Sequence, residues 1–378
     1  MPSYDVELIA LPPLAELEAQ WRMLEATARP SFYTSWSWIG TWLECLPAGL
    51  DLRLWRAHRE GVVVGLGVLT RRWRKRGVVP VCEAWYLHAT GDFTQDVVWV
   101  EHNDLLVDTR WADEIRAAMV THWRAQTSRV SELHCPGLPG TGWPEAVGAG
   151  LQRVVDVQSS CCVELETVRA HKLDYTMVVS GHARRFIRRS LKEYQTLGEV
   201  KVGVATTLDE AGEYFDRLGA LHQKRWEARG ESGVFGQEFF QRFHRRLMAR
   251  CLPRGEIQLL QLKAGGRDIG LLYSFVLGGR VYVYQSGFDY GLLAKHGRPG
   301  MVTHAMAVQY NAGLGHAVYD LMAGEETQYK QTLSNLPETM TWQVLRTHAL
   351  RFRVERRLHS LAKSLPRRAA APAPEVAE

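Results

Sequence analysis

Residues 256–289 read EIQLLQLKAGGRDIGLLYSFVLGGRVYVYQSGFD. Three apolar, β-rich runs are separated by the turns Gly265-Gly266-Arg267 and Gly278-Gly279-Arg280. Paired glycines supply the positive φ angles of tight hairpins, so this stretch predicts an antiparallel meander. MVTHAMAVQYNAG (301–313) follows as a helix closed by Gly313 and Gly315. AVYDLMAG (317–324) reads as a buried strand, TQYKQTL (327–333) as a short helix and TMTWQVL (339–345) as a last strand. Upstream, GEVKVGVATT (198–207) is a strand. LDEAGEYFDRLGALHQKRWEAR (208–229) has a helical apolar stripe at 211, 214, 215, 218 and 221. QEFFQRFHRRLMARCL (237–252) is a second helix. The order is β-α-α-β-β-β-α-β-α-β, with a helix leading from the meander into a parallel strand.

The first half gives the same order. YDVELIA is a strand, PLAELEAQWRMLEAT and SWSWIGTWLECL are helices, and LRLWRA and VVVGLGVLT form a hairpin. AWYLH and DVVWV (96–100) read as further strands, RWADEIRAAMVTHWRAQ as a helix, RVSELHC as a strand and GWPEAVGAGL as a short helix. A shared order points to an internal repeat. The expected division is 1–165, 166–345 and a basic tail, 346–378. Two α/β domains suit 378 residues of ordinary globular composition.

Several segments resemble the GNAT-type acetyltransferase family that includes CelD of bacterial cellulose synthesis, itself related to Fem-type aminoacyl transferases. They are Glu18, Trp21 and Leu24 with PSFYTSWSWIGTW, then SGHARRFIRRSLKEYQTLGEV, LHQKRW, GFDYGLLAKHGRPG and YDLMAGEETQYK. The resemblance implies an α/β fold of tandem GNAT-like domains, each a mixed, mostly antiparallel sheet flanked by helices. It also implies acyl transfer without a metal. The donor would be acetyl-CoA, another acyl-CoA or another thioester, and the acceptor an amine or hydroxyl; the alternatives are a Fem-like ligase that uses aminoacyl-tRNA and a non-catalytic partner in polysaccharide assembly. The chain departs from the usual Q/R-x-x-G-x-G/A loop: LLAKHGRPGM has Gly297, Arg298 and Gly300 but not the full glycine spacing.

Candidate chemistry gathers in four places. Lys295, Arg298, Pro299, Gly300 and Met301 stand at a helix start, where free N–H groups and basic side chains suit a donor phosphate. Asp320, Glu325, Tyr329 and Lys330 form the catalytic candidate. Lys330 would stabilise an oxyanion with Asp320 beside it, against a plain structural Asp–Lys pair. Arg184, Arg185 and Arg188 lie on an amphipathic basic helix that would grip an acceptor or simply face solvent. His222, Arg225 and Trp226 would shape an acceptor pocket together with Tyr284, although His222 falls on an apolar stripe that suits core packing. The tryptophans 36, 38 and 42 suit a core.

Composition narrows the functions. The six cysteines include no CxxC pair and no zinc spacing, so reduced, inert thiols are expected. No run of apolar residues reaches membrane-spanning length, and the first twenty residues lack a signal-peptide pattern, which points to the cytoplasm. Residues 341–378 hold eight basic and three acidic side chains, the whole of the net +5. A neutral body argues against a broad tRNA-binding face. The tail suits an acyl carrier protein or an anionic membrane surface.

Overall fold

A computed structural model describes residues 4–347 apart from 77, 78, 129, 294, 296 and 324–326. Glu325, His296 and the tail beyond Thr347 therefore lie outside the described residues.

The first half runs β1 (Asp5–Ala10), α1 (Leu14–Ala28), α2 (Trp36–Cys45), β2 (Asp51–Arg59), β3 (Val62–Arg76) and β4 (Val79–Leu87). A long connection holds α3 (Phe93–Asp96) and β5 (Leu106–Val107). Then come α4 (Ala112–Gln126), β6 (Ser131–Pro139) and β7 (Gln152–Glu164). α5 (Leu165–Ala170) and α6 (Gly181–Gln195) lead to the second half. That half runs β8 (Val200–Val204), α7 (Leu208–Glu227), α8 (Glu238–Cys251), β9 (Ile257–Ala264), β10 (Arg267–Leu277) and β11 (Arg280–Phe288). It ends with α9 (Pro299–Gly313), β12 (Val318–Ala323), α10 (Thr327–Leu333) and β13 (Leu336–Arg346).

The repeat is visible in the pairing. β2, β3 and β4 are antiparallel neighbours, α4 crosses over, and β6 returns parallel to β4. β9, β10 and β11 are likewise antiparallel, α9 crosses over, and β12 returns parallel to β11. The two halves share one sheet, in the order β1-β2-β3-β4-β6-β13-β7-β12-β11-β10-β9-β8. Each half lends a strand to the other. β13, the last strand among the described residues, lies between β6 and β7, and β7 lies between β13 and β12. The last strand runs through Arg346 and is followed by the buried Thr347, so the sheet takes in the first residues of the segment read as tail.

Local chemistry explains the element boundaries. α7 starts in a reciprocal capping box between Thr207 and Glu210. α1 buries Leu17, Trp21, Leu24 and Ala28, one stripe of a helix. Trp36, Trp38 and Trp42 are buried in the core, and Trp38 meets Phe243 of α8 edge-on at 4.7 Å. DVVWV is not a strand. Asp92 caps α3 by accepting the Thr94 N–H, and Asp96 takes the N–H groups of Thr90 and Gly91. These side-chain bonds to backbone outcompete the β propensity of the valines. β7 is a long strand that the sequence reading did not mark, and β13 pairs with it from Gln152 to Cys162. All six cysteines are buried, and none is in a disulfide among the described residues.

Candidate functional site

β11 and β12 pair only from Arg280↔Val318 to Tyr282↔Asp320. β11 then continues to Phe288 while β12 turns away, leaving a gap between parallel strands. The turn is built into β12. Its register shifts between Asp320 and Ala323, and Met322 takes a positive φ of 63°. The Asp320 carboxylate holds this kink by accepting the Met322 N–H at 2.8 Å.

Asp320 is fully buried, and its other oxygen accepts from His102 Nε2 and from Arg280 Nη1, each at 2.7 Å. Burial raises its pKa, but the hydrogen bond and charge of His102, the charge of Arg280 and the Met322 N–H outweigh it and leave the group at about 2. Donor atoms of His102, Asp320 and Glu338 lie within 4.8 Å of one another. The Arg280 guanidinium bonds both carboxylates there, so it already supplies the positive charge that a metal would bring.

Lys330 does not pair with Asp320 as the sequence suggested. Its Nζ donates to the carbonyls of Met322 at 3.0 Å and Ala323 at 2.8 Å, the backbone groups that the kink turns away from the ladder. Tyr329 stands against the start of α9. A Cβ on Gly300 would come within 2.4 Å of its hydroxyl and 3.2 Å of the Phe288 ring. Pro299 is the first residue of α9, and Pro299, Gly300 and Met301 are buried. Arg298 caps the helix in a left-handed conformation with φ 39°, and its exposed guanidinium lies 3.6 Å over the Phe186 ring of α6. Lys295 is exposed nearby in the chain.

The structure adds a residue that sequence reasoning missed. Glu101 comes from the connection between β4 and α4, and its carboxylate accepts the Ala323 N–H at 2.9 Å. Burial pushes its pKa up to about 7, against the pull of that N–H and of the Lys330 charge. Tyr33 places a buried hydroxyl, without a hydrogen-bond partner among the described residues, in the same charge neighbourhood. Tyr284 of β11 also feels the Glu101 charge, and its hydroxyl lies 3.3 Å from His244 Nε2. Glu101 sits in an unremarkable polar run, Glu101-His102-Asn103-Asp104, and only the tertiary fold carries it to the gap.

The remaining candidates lie apart from this centre or serve its frame. Arg184 donates to the Thr176 carbonyl at 2.6 Å. Arg188 reaches the Thr176 hydroxyl at 3.1 Å and Asp174 at 3.2 Å, so both clasp α6 to the turn before it. Arg185 lies 3.2 Å from His182 Nδ1 on the exposed face. His222 is buried between Trp226 and Phe235, with ring centroids 5.6 and 5.0 Å away. Burial, and then the charge of Arg225, lower its pKa to about 4, which leaves it neutral. Arg225 itself lies over the Tyr290 ring. The gap thus gathers Asp320, Tyr329, Lys330, Tyr284 and Gly300, with Glu101 and His102 contributed by the first half.

Residues 181–331, from α6 into α10, match the family model described as an acetyltransferase (GNAT) domain. No curated protein matches the sequence. Among solved structures, FemX is similar over 95% of this chain and 100% of its own, at 10% identity and a TM-score of 0.56. L-PGS from Bacillus licheniformis is similar over 96% and 100%, at 9% identity and a TM-score of 0.53. The C-terminal domain of a putative lysylphosphatidylglycerol synthetase from Agrobacterium fabrum covers 93% and 96%, at 9% identity and a TM-score of 0.52. Likeness at these identities speaks for the fold. The chain has a tandem GNAT-like α/β fold, and its half that matches the acetyltransferase domain holds the gap between β11 and β12.

Proposed function

We propose that the protein moves an acyl group from a thioester or activated ester to an amine or hydroxyl acceptor in the gap between β11 and β12. The observation that carries this reading is the convergence of Glu101 and Lys330 on Ala323, at the end of a strand that has left its neighbour. The acyl carbonyl enters the gap. The Lys330 ammonium stabilises the negative charge that develops on its oxygen. Glu101, with a pKa of about 7, takes the proton of the attacking acceptor. Tyr329 is placed to return a proton to the departing sulfur or oxygen, against the start of α9. Asp320, His102 and Arg280 hold the kink that presents these groups.

The donor favoured is an acyl-CoA, with its phosphates near the start of α9 and the exposed Lys295 and Arg298. An aminoacyl ester carried by tRNA is the second reading. It is favoured by the fold likeness to FemX and to the lysylphosphatidylglycerol synthetase. The exposed Arg185 of α6 would then face the nucleic acid. A cytoplasmic setting, a role in polysaccharide or envelope metabolism, and contact of the basic tail with a carrier protein or anionic membrane rest on the sequence alone. A thermal-shift and turnover panel of acetyl-CoA, longer acyl-CoAs and aminoacyl-tRNA tests the donor. Stabilisation and acyl release by none of them would overturn the transfer reading.

A further inference from the structure

The segment that joins the two halves concentrates positive charge. Residues 169–192 hold seven basic side chains and one acidic, while the rest of the chain before residue 341 is net negative. The basic run in β3 is different, because Arg71, Arg72 and Arg74 each bond a carboxylate there. On α6, Arg185, Arg189 and Lys192 stand at i, i+4 and i+7, so they share one face, and all three are exposed. This face leads to the donor entrance. The Phe186 ring carries two guanidinium groups, Arg298 at 3.6 Å and Arg185 at 5.7 Å, which joins the row to the start of α9. Gly300, two residues beyond Arg298, meets Tyr329 at the transfer gap.

At the other end of α6 the patch turns apolar. Met177 and Leu173, in the turn before the helix, are 45% and 37% exposed. That turn is held in place. Lys172 and Leu173 take positive φ angles of 55° and 64°, Asp174 accepts the Thr176 N–H at 3.0 Å, and Arg184 bonds the Thr176 carbonyl from α6. The mixture decides what fits. A polynucleotide spreads its charge over a broad surface, and beyond this patch it would meet a net-negative body. It also stacks its bases on open rings, and the Phe186 ring is already taken by Arg298. A small protein with an acidic amphipathic helix suits both parts. Its carboxylates face Arg185, Arg189 and Lys192, and its apolar side chains cover Met177 and Leu173. α6 is 15 residues long, or about 22 Å, which one such helix can follow.

We infer that α6 docks an acidic carrier protein, whose phosphopantetheine arm brings an acyl thioester past Arg298 into the gap between β11 and β12. The use of the arm rests on the transfer reading above; the docking itself does not. CoA ends in the same pantetheine thiol, so both donors share the gap, and only the carrier needs the basic row. In either case the thioester C–S bond breaks as the acceptor's bond to the acyl carbon forms, and the acceptor's proton ends on the sulfur. The test uses the full chain and a bacterial acyl carrier protein in its holo form, with binding read by calorimetry at low and at physiological salt. The double variant Arg189→Glu with Lys192→Glu should weaken carrier binding about ten-fold or more, and leave the melting temperature and acetyl-CoA turnover unchanged. Met177→Ser should weaken carrier binding as well, which charge attraction alone does not predict. Three results would overturn the docking: no carrier binding, carrier binding indifferent to these substitutions, or bulk tRNA bound more tightly than the carrier through the same residues. A chain that binds the holo carrier through α6 but takes no acetyl group from loaded carrier or acetyl-CoA removes the transfer reading and keeps the docking. One that turns over acetyl-CoA and ignores the carrier does the reverse.

Discussion

His102 and Asp320, 218 positions apart, meet through a 2.7 Å hydrogen bond between the two halves of the molecule. The bond stabilises a buried carboxylate at the point where β12 leaves β11. Removing one partner of a buried pair ordinarily costs about 3–5 kcal/mol. His102→Ala should cost less, about 2–3 kcal/mol, because Arg280 and the Met322 N–H remain on Asp320. Urea unfolding measures it. The pH dependence has a definite sign. Asp320 titrates near 2 when folded against an ordinary 3.8, so its stabilisation is complete above 3.8 and lost as the pH falls towards 2.

Glu101→Gln should make the protein more stable and less active at once. The folded carboxyl holds its proton up to about pH 7 against an ordinary 4.5, so the native state loses stability as pH rises between those values. The amide avoids that cost and can still accept the Ala323 N–H. We expect a higher melting temperature at pH 8 together with a turnover loss of about 10²–10⁴-fold. The limb of the pH–rate profile near pH 7 should disappear. A variant with full activity and the same profile would remove Glu101 from the proton transfer.

Lys330→Met keeps the length of the side chain and removes its charge. Turnover should fall by about 10²–10³-fold, with donor binding nearly unchanged. If the two carbonyl contacts to Met322 and Ala323 are its whole role, the melting temperature falls and activity per folded molecule survives. Calorimetry and single-turnover kinetics on the same preparation distinguish the outcomes.

Gly300→Ala is a small change with a defined collision. Its Cβ would sit 2.4 Å from the Tyr329 hydroxyl, so that ring must move. Overpacking of this kind costs about 1–3 kcal/mol. Donor affinity and turnover should both fall, and Tyr329→Phe, which removes the colliding oxygen, should recover affinity in the double variant.

The second half was legible because its signals are local. The Gly-Gly-Arg turns mark hairpins that form at those positions, and the capping box at Thr207 and Glu210 starts α7 where the apolar stripe begins. The site was legible only in part. Asp320, Tyr329 and Lys330 do gather at the gap, but the partner of Asp320 is His102, and no spacing in the sequence relates residues so far apart. Glu101 was hidden for the same reason. The loop 96–100 misled because valines favour strands while two aspartates hold it in turns.

Truncation after Thr347 should leave the melting temperature within a few degrees, since Thr347 closes the sheet by accepting the Ser131 N–H at 3.1 Å. Truncation before Leu336 should yield insoluble protein, because β6 and β7 would both present bare edges. Solubility and circular dichroism of the two chains decide it.

The exchanged strand also orders events during synthesis. β13 belongs between β6 and β7, yet it is the last of the described strands to leave the ribosome. The N-terminal half must therefore wait, with the slot between those two strands open, until nearly half of the chain has been translated behind it. A nascent chain in that state is a natural client for chaperones that cover strand edges. Maturation should end in a single late locking step, when residues 336–346 slide home. A gene fission between the halves would then be tolerated only if the second fragment is made in time to close the first.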